Sequence, residues 1–489
     1  MSRKYRMLLW VLAVIYVVYH LATLIYSPLP WFDEITFLSM TESYMKDGTL
    51  FEQVRILGEP AEKLNYGPIY FVWQSLMIKT FGYGIFTVRI TNMLFGFLSL
   101  FLIYKIALKL RLHHELAIAA VVFTAIEPNF NQFLHSGRMD FIGLSFFLLA
   151  YLSFRPSETG IQFKSYLFPV LTGVLLCCSI LTNPRFVYAF PVFIAYFIYE
   201  MVASGGPDRM KAFMKYAIIG VSFALVYYLW VYLTFGGVTE YISFTQKATY
   251  LKDHLGMGTH FRIRYNLFIF LLSFIVVGYF GLKDRFKTDV HLALFTVPAI
   301  ASFVLIVNGG IEGRYFTLAI PFVALLLIGM SFQFIENRAF KFATGAIALM
   351  FAGVFVFKAA YIVSTVPQHD PVRNEKRISP FLESGSSVFG DFEFYYIARK
   401  KNCSYLTTQM NGSVPELTEY ILSHKIQYVM LKKGNDMKQY YEPAFLNEHY
   451  QLIATIEDDT YSSFFGNIIN KLPYKISDSY SCYIYKFKG

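Results

Sequence analysis

Long apolar runs separated by short polar interruptions fill the first three quarters of the chain. About eleven are long enough to cross or nearly cross a bilayer. They lie near 7–26, 85–108, 115–133, 138–154, 165–182, 186–201, 214–235, 265–282, 290–308, 315–333 and 341–363. The run at 67–82 contains Gly67, Pro68 and Gly82 and is read as lying along the membrane interface. From about residue 364 the pattern changes. Charged residues return and apolar runs shorten to strand length in "SSVFGDFEFYYI", "IQYVMLKK", "YQLIATIED" and "SCYIYKFK", while "VPELTEYILSHK" has helical spacing with a proline suited to its first turn. The pattern predicts a polytopic α-helical membrane protein with a small C-terminal α/β domain. Residues 1–363 form the membrane domain, its outer loops at 27–84 and 129–140, and residues 364–489 form the tail.

Composition agrees. The 489 residues are 55% hydrophobic and 16% charged, whereas a soluble chain keeps roughly a quarter of its residues charged. The net charge of +10 is dispersed in short clusters between apolar runs. That excludes a nucleic-acid-binding block and instead orients the chain. With the N-terminus in the cytoplasm, the inner loops are 2–6, 105–114, 155–164, 205–215, 283–287 and 336–341, and each carries Lys or Arg. An odd number of spans then places the tail outside. The first run is of spanning length and lacks a small-residue cleavage site, so it reads as a retained anchor. Four cysteines show no metal-ligand spacing, and a Cys403–Cys482 disulfide is left open.

Within this frame a few polar residues stand out. Two adjacent carboxylates, Asp33 and Glu34, follow the turn "SPLP" just beyond the first span. A carboxylate at a low-dielectric boundary is costly unless paired or functional. The plain alternative is a solvated loop acid. The short loop "NFNQFLHSGRMDF" holds His135, Arg138 and Asp140, either as an Arg138–Asp140 pair anchoring a span end or with Asp140 facing the same cavity as Asp33. Further outer cations are Arg185 in "LTNPRF", Arg314 in "NGGIEGRYF" and the basic residues of 236–265. They run against the orientation bias, which suggests an anionic ligand, although snorkelling to headgroups explains any single one. Carboxylates able to act as a general base, beside cations able to hold a phosphate, suit group transfer from a lipid phosphate. No nucleotide-binding glycine motif is present. A lipid or glycan transporter is the rival reading, although the acids cluster in outer loops rather than mid-span.

Ordered motifs resemble those of the GT-C membrane glycosyltransferases, in the branch of the protein O-mannosyltransferases and the lipid A aminoarabinose transferase. "FDEITFLSMTESYMKDGTLF" looks like that family's first outer loop. "NYGPIYFVWQSLMIKTFGYGIFTVRITNMLFGFLSLFLIYKIALKL" is similar to its interfacial helix and next span, "SGRMDF" to its second acidic loop, and "GRYFTLAIPFVALLL" to its late Arg-Tyr span. The resemblance implies an integral membrane glycosyltransferase with a polyprenyl-phosphate sugar donor and a glycan, lipid or protein acceptor, inverting the anomeric centre. It implies Asp33 as base, with its neighbour Glu34 counted among the catalytic residues or else capping the helix start, and Asp140 orienting sugar or acceptor. Where some members carry a lysine, this chain has Gly67 and Asn183. Phosphate binding is therefore expected from Arg138, Arg185, Arg314 or Lys63, with Tyr66 among the substrate-binding candidates. No cofactor is required, and a divalent cation (Mg or Mn) is compatible, with its ligands unspecified. The expected location is a plasma membrane, a bacterial inner membrane being favoured. A topology test follows from the loop charges: an alkaline phosphatase fused after Gly489 is expected to be active and a cytoplasm-dependent reporter there dark, and the reverse pattern would put Asp33 and Asp140 on the wrong side.

Overall fold

A computed structural model of the protein describes residues 3–52, 54, 61–62, 66–110, 112–154, 164–203, 205–244, 319–330, 338–407, 414–433, 443–457 and 480–489. The first helix, α1 (Arg3–Thr23), turns its apolar side chains outward: Met7, Trp10, Val14 and Val18 are all more than half exposed. That pattern belongs to a helix facing lipid. After the "SPLP" turn the chain enters α2 (Phe32–Asp47), which ends at Gly48 in the left-handed conformation, φ 77°. Gly48 has no Cβ to clash there. The interfacial segment is a helix, α3 (Ile69–Phe81), followed by α4 (Ile85–Lys109).

The single run expected at 115–133 is broken into α5 (His114–Ile126) and α6 (Pro128–Leu134). Pro128 has no N–H to donate and forces Glu127 into an extended conformation (φ −61°, ψ 127°). The Glu127 carboxylate then accepts the Phe130 backbone N–H at 2.7 Å and caps the new helix. Helices α7 (Asp140–Ser153), α8 (Lys164–Thr182), α9 (Phe190–Ala203) and α10 (Gly206–Phe235) follow, and a 3₁₀ turn at Pro184–Ala189 replaces the start of the span expected at 186–201. The runs at 265–282 and 290–308 lie outside the described residues. Of 315–333, residues 319–330 are described, as α11 (Ile320–Ala324) continuing into π-helical turns. The last membrane helix, α12 (Arg338–His369), runs past the expected boundary at 363. Three helices among the described residues are long and apolar enough to cross a bilayer.

The tail is a five-stranded mixed sheet. Numbering two short strands of the 27–84 loop, Phe51–Glu52 and Ala61–Glu62, as β1 and β2, the tail strands are β3 (Ser387–Gly390), β4 (Ser404–Thr407), β5 (Tyr428–Lys432), β6 (Tyr450–Ile456) and β7 (Cys482–Phe487). Their spatial order is β4-β3-β5-β7-β6, parallel among the first three and antiparallel thereafter. One expectation changes here, and the open question of a disulfide is answered. "SSVFGDFEFYYI" is a strand only to Gly390. Asp391 turns the chain, its carboxylate accepting the Lys432 N–H at 2.7 Å, and Tyr395–Lys400 is helical. Cys403 and Cys482 are buried and not joined to each other. Cys403 sits at the start of β4 and Cys482 in β7, with β3 and β5 between them, too far apart for a disulfide.

The tail does not stand apart. Ile35, Leu38, Val54, Ile85 and Val88 of the membrane domain share one apolar core with Ile378, Val388, Phe394, Tyr395 and Tyr396 of the tail. Polar contacts cross the same seam: Arg399 donates to Glu42 at 2.6 Å, and the Thr407 N–H donates to the Val54 carbonyl at 2.9 Å. At the deep end of this seam Glu34 and Arg89 are both fully buried and paired through two bonds of 3.0 and 3.2 Å. A helix-start role for Glu34 would contribute only about 0.3–1 kcal/mol. The observed pair makes a larger demand, because removing one partner strands a buried charge. Arg89→Met is expected to cost about 3–5 kcal/mol, with much of it recovered in the Arg89→Met/Glu34→Leu double variant. Thermal unfolding of the three detergent-solubilised proteins checks this, and equal loss in single and double variants would contradict it.

Candidate functional site

Asp33 and Glu34 occupy the first turn of α2, after Trp31 in extended conformation (φ −139°, ψ 168°). Both acids sit at the favourable positive end of the helix. Neighbours on a helix diverge by about 100°, and the two carboxylates meet different partners. Glu34 accepts from Arg89, from the Gly137 N–H at 3.1 Å and from the Tyr396 hydroxyl at 3.1 Å. It is enclosed by α4, the 135–139 loop and the tail. Asp33 is paired instead with Arg138.

Arg138 is the centre of the site. Its Nη1 binds the Asp33 carboxylate and its Nε binds Asp140 Oδ2 at 2.5 Å. The guanidinium lies among three rings, 5.4 Å from the centroid of Trp31, 5.8 Å from Phe37 and 5.9 Å from Phe133. Burial works against its charge, but Asp140 and Asp33 outweigh that and hold the pKa above the ordinary value. Arg138 is therefore a permanent cation spanning two acids. Asp140, the first residue of α7, also accepts from Asn183 Nδ2 at 2.9 Å. Asn183 Oδ1 in turn accepts the Arg185 backbone N–H at 3.1 Å, capping the 3₁₀ turn. This chain brings half-buried Arg185 to the site. Tyr66, also half-buried, stacks edge-on against Phe37 with centroids 5.4 Å apart. Its phenol pKa is raised by burial, against the pull of Arg185 and with the push of Asp33, so its hydroxyl lies within the field of all these charges.

Two glycines permit this convergence. A Cβ on Gly137 would lie 2.3 Å from Val88 and 2.9 Å from the Glu34 side chain. One on Gly67 would lie 2.7 Å from the Leu181 carbonyl, which accepts the Gly67 N–H. Gly67 thus docks the chain just ahead of α3 onto the end of α8. Tyr70 of α3 donates to the Gly137 carbonyl at 2.8 Å, and Asn92 of α4 donates to the Phe133 carbonyl at 2.6 Å and accepts the Phe141 N–H at 3.3 Å. The second acidic loop is therefore held from both sides.

Of the residues singled out in the sequence, Asp33, Asp140, Arg138, Arg185 and Tyr66 come together. Glu34 lies behind them, and Arg314 and Lys63 fall outside the described residues. Arg89, Asn183 and Tyr396 were missed. Arg89 did carry a signal, as an ionisable residue inside the apolar run 85–108 that must find a partner. Nothing local marks Tyr396. Among the described residues no group of three His, Cys, Asp or Glu side chains comes together to hold a metal ion. The two acids best placed to do so are already bridged by Arg138, an arrangement that fits a guanidinium rather than a divalent cation.

With this geometry in view, comparison with known proteins is informative. Residues 65–232 match the family model described as dolichyl-phosphate-mannose-protein mannosyltransferase. The chain is similar in structure to ArnT from Cupriavidus metallidurans in the apo state (TM-score 0.56, 14% identity, covering 99% of this chain and 98% of that one). It is similar also to the same protein bound to undecaprenyl phosphate (TM-score 0.57, 13% identity, 99% and 98%). The archaeal oligosaccharyltransferase AglB from Archaeoglobus fulgidus aligns with TM-score 0.50 and 13% identity, over 90% of this chain and 73% of that one. No curated protein matches the sequence. The fold is that of the GT-C membrane glycosyltransferases, the class the sequence motifs resemble. The chain is accordingly a multi-pass membrane protein.

One support of the site titrates. The His135 Nδ1–H donates to the Ser27 carbonyl at 2.8 Å, leaving Nε2 to accept from His20 Nδ1 at 2.7 Å. Burial lowers the His135 pKa to about 3, so the ring is neutral in the fold. The unfolded chain takes up that proton below about pH 6.5. The stabilisation is therefore complete above that value and is lost as pH falls toward 3. Between pH 6.5 and 5 the wild type is expected to lose about 2 kcal/mol from this residue. Melting in detergent at the two pH values checks it, and an equal loss in His135→Gln would contradict it.

Proposed function

We propose that the protein is a membrane glycosyltransferase that moves a sugar from a polyprenyl-phosphate donor to an acceptor hydroxyl or amine, with inversion at the anomeric carbon. The observation that carries this reading is the meeting of two carboxylates, from separate outer segments, on one buried guanidinium, with Arg185 and Tyr66 beside them. The family match and the fold likeness support the reaction class. By the topology inferred above, the site faces the extracytoplasmic side of a plasma membrane, with an envelope glycan, lipid or protein as acceptor.

Each residue then has a role. Asp33 accepts the proton of the acceptor nucleophile. The nucleophile's electron pair forms the new bond to the anomeric carbon, and the bond from that carbon to the phosphate oxygen breaks with its electrons leaving on the lipid phosphate. Arg185, half-buried, beside Tyr66 and linked to Asp140 through Asn183, holds that phosphate. Arg138 is 2% exposed and already spans Asp33 and Asp140, so it is a positioning residue for the acids rather than the phosphate anchor. Asp140, fixed by Arg138 and Asn183, orients sugar or acceptor. Transport does not call for a carboxylate pair locked onto one guanidinium.

Asp33→Asn keeps the shape and removes the basicity. Turnover with polyprenyl-phosphate sugars, in detergent and without a sealed compartment, is expected to fall by about 10²–10⁴ while donor binding persists. A near-normal initial rate at matched protein would remove Asp33 from the chemistry, and no transfer by the wild type with any acceptor would favour the transporter.

A further inference from the structure

Farther along α2 lies a cavity of about 350 Å³, between that helix and the tail domain. Ser39 and Glu42 of α2 form one wall. Arg399, Ser387 and Ser404 of the tail sheet and its adjoining helix form the opposite wall. Tyr420 and His424 close one end as a stacked pair, ring centroids 3.8 Å apart and 20° from parallel. The volume is at the lower end of the range for ligand sites.

Its electrostatics limit what it can hold. Glu42 Oε1 accepts from the hydroxyls of Tyr83 at 2.8 Å and Tyr395 at 3.1 Å, while Oε2 accepts from Arg399 at 2.6 Å. The acid is filled with donors and the guanidinium charge is balanced, so no net charge remains to retain an anion. Arg399 is still one acceptor short, since its Nε meets none among the described residues. The Ser387 Oγ accepts the Gln427 N–H at 3.0 Å, which leaves its own O–H to donate. The cavity thus offers hydroxyls, a neutralised guanidinium and flat aromatic surface. That set matches a neutral polyhydroxylated ring, whose hydroxyls exchange bonds with serine and arginine and whose apolar face lies on an aromatic wall.

We infer that this cavity is a saccharide-binding subsite that takes a neutral sugar unit of a glycan acceptor. The inference rests on the glycosyltransferase reading above. The helix connects the two sites: from Asp33 to Glu42, α2 rises about 13 Å. An extended glycan whose nucleophile sits at Asp33 reaches the cavity with a more distant ring. Contacts made there orient the reacting end without touching it, which is how remote binding serves turnover. The walls come from both α2 and the tail, so the subsite exists only because the tail is docked on the membrane domain.

Binding is measured apart from transfer, so the two readings fail separately. Saturation-transfer NMR on the full-length protein in detergent, with a panel of free neutral hexoses and N-acetylhexosamines, is expected to show enhancement for at least one sugar. The signal should persist in Asp33→Asn and in the presence of inorganic phosphate. It should fall about five-fold or more in Tyr420→Ala, which removes the aromatic wall, and in Ser404→Trp, which fills the space from an exposed strand position. A silent wild type, displacement of the sugar by phosphate, or unchanged signals in both variants would each overturn the subsite. Sugar binding without transfer activity would instead count against the proposed reaction while leaving the subsite standing.

Discussion

The buried Glu34–Arg89 pair is the constraint around which the rest is arranged. Neither residue has access to water, so each depends on the other and on the hydrogen bonds around them. Arg89 reaches the Leu24 carbonyl near the end of α1, and Glu34 reaches Gly137 of the second acidic loop and Tyr396 of the tail. The first span, α2, α4, the 135–139 loop and the tail therefore meet at one pair of charges. In a fold whose helices gain little from hydrophobic contact with one another inside lipid, such a pair specifies which surfaces must come together.

That clamp explains how two adjacent acids serve different ends. Glu34 is committed to holding the structure, and its neighbour, one helical step round, is turned toward Arg138. The site then works by charge balance. Two carboxylates share one guanidinium in a nearly dry setting, and the aromatic rings around Arg138 keep water from screening the interaction. Half-buried Arg185, Tyr66 and Trp31 give this buried centre an accessible edge.

The tail is part of the same unit. Its β3 and the aromatic segment after it share a core with α2 and α4, and the Arg399–Glu42 contact extends the seam along α2. This helix carries the proposed base near its start and lines the cavity farther on. On the proposed function it is the spine along which an extended acceptor is laid.

Much of this was legible in the sequence. Apolar runs of spanning length marked the membrane domain. The return of short β-branched and aromatic runs after 364 marked the tail, because burial in lipid and burial in a small sheet leave different periods. Asp33, Asp140 and Arg138 stood out because charge next to greasy segments is expensive. Other features were decided only in three dimensions. The break at Glu127–Pro128 was hidden by the apolar residues on both sides. Tyr395 and Tyr396 read as strand because aromatics favour strands, yet packing against α2 made them helical. The division of labour between Asp33 and Glu34 could not be read from two neighbouring letters. It depends on which direction each side chain faces, and that is fixed by Arg89 and Arg138, residues far along the chain whose positions only the folded helices bring together.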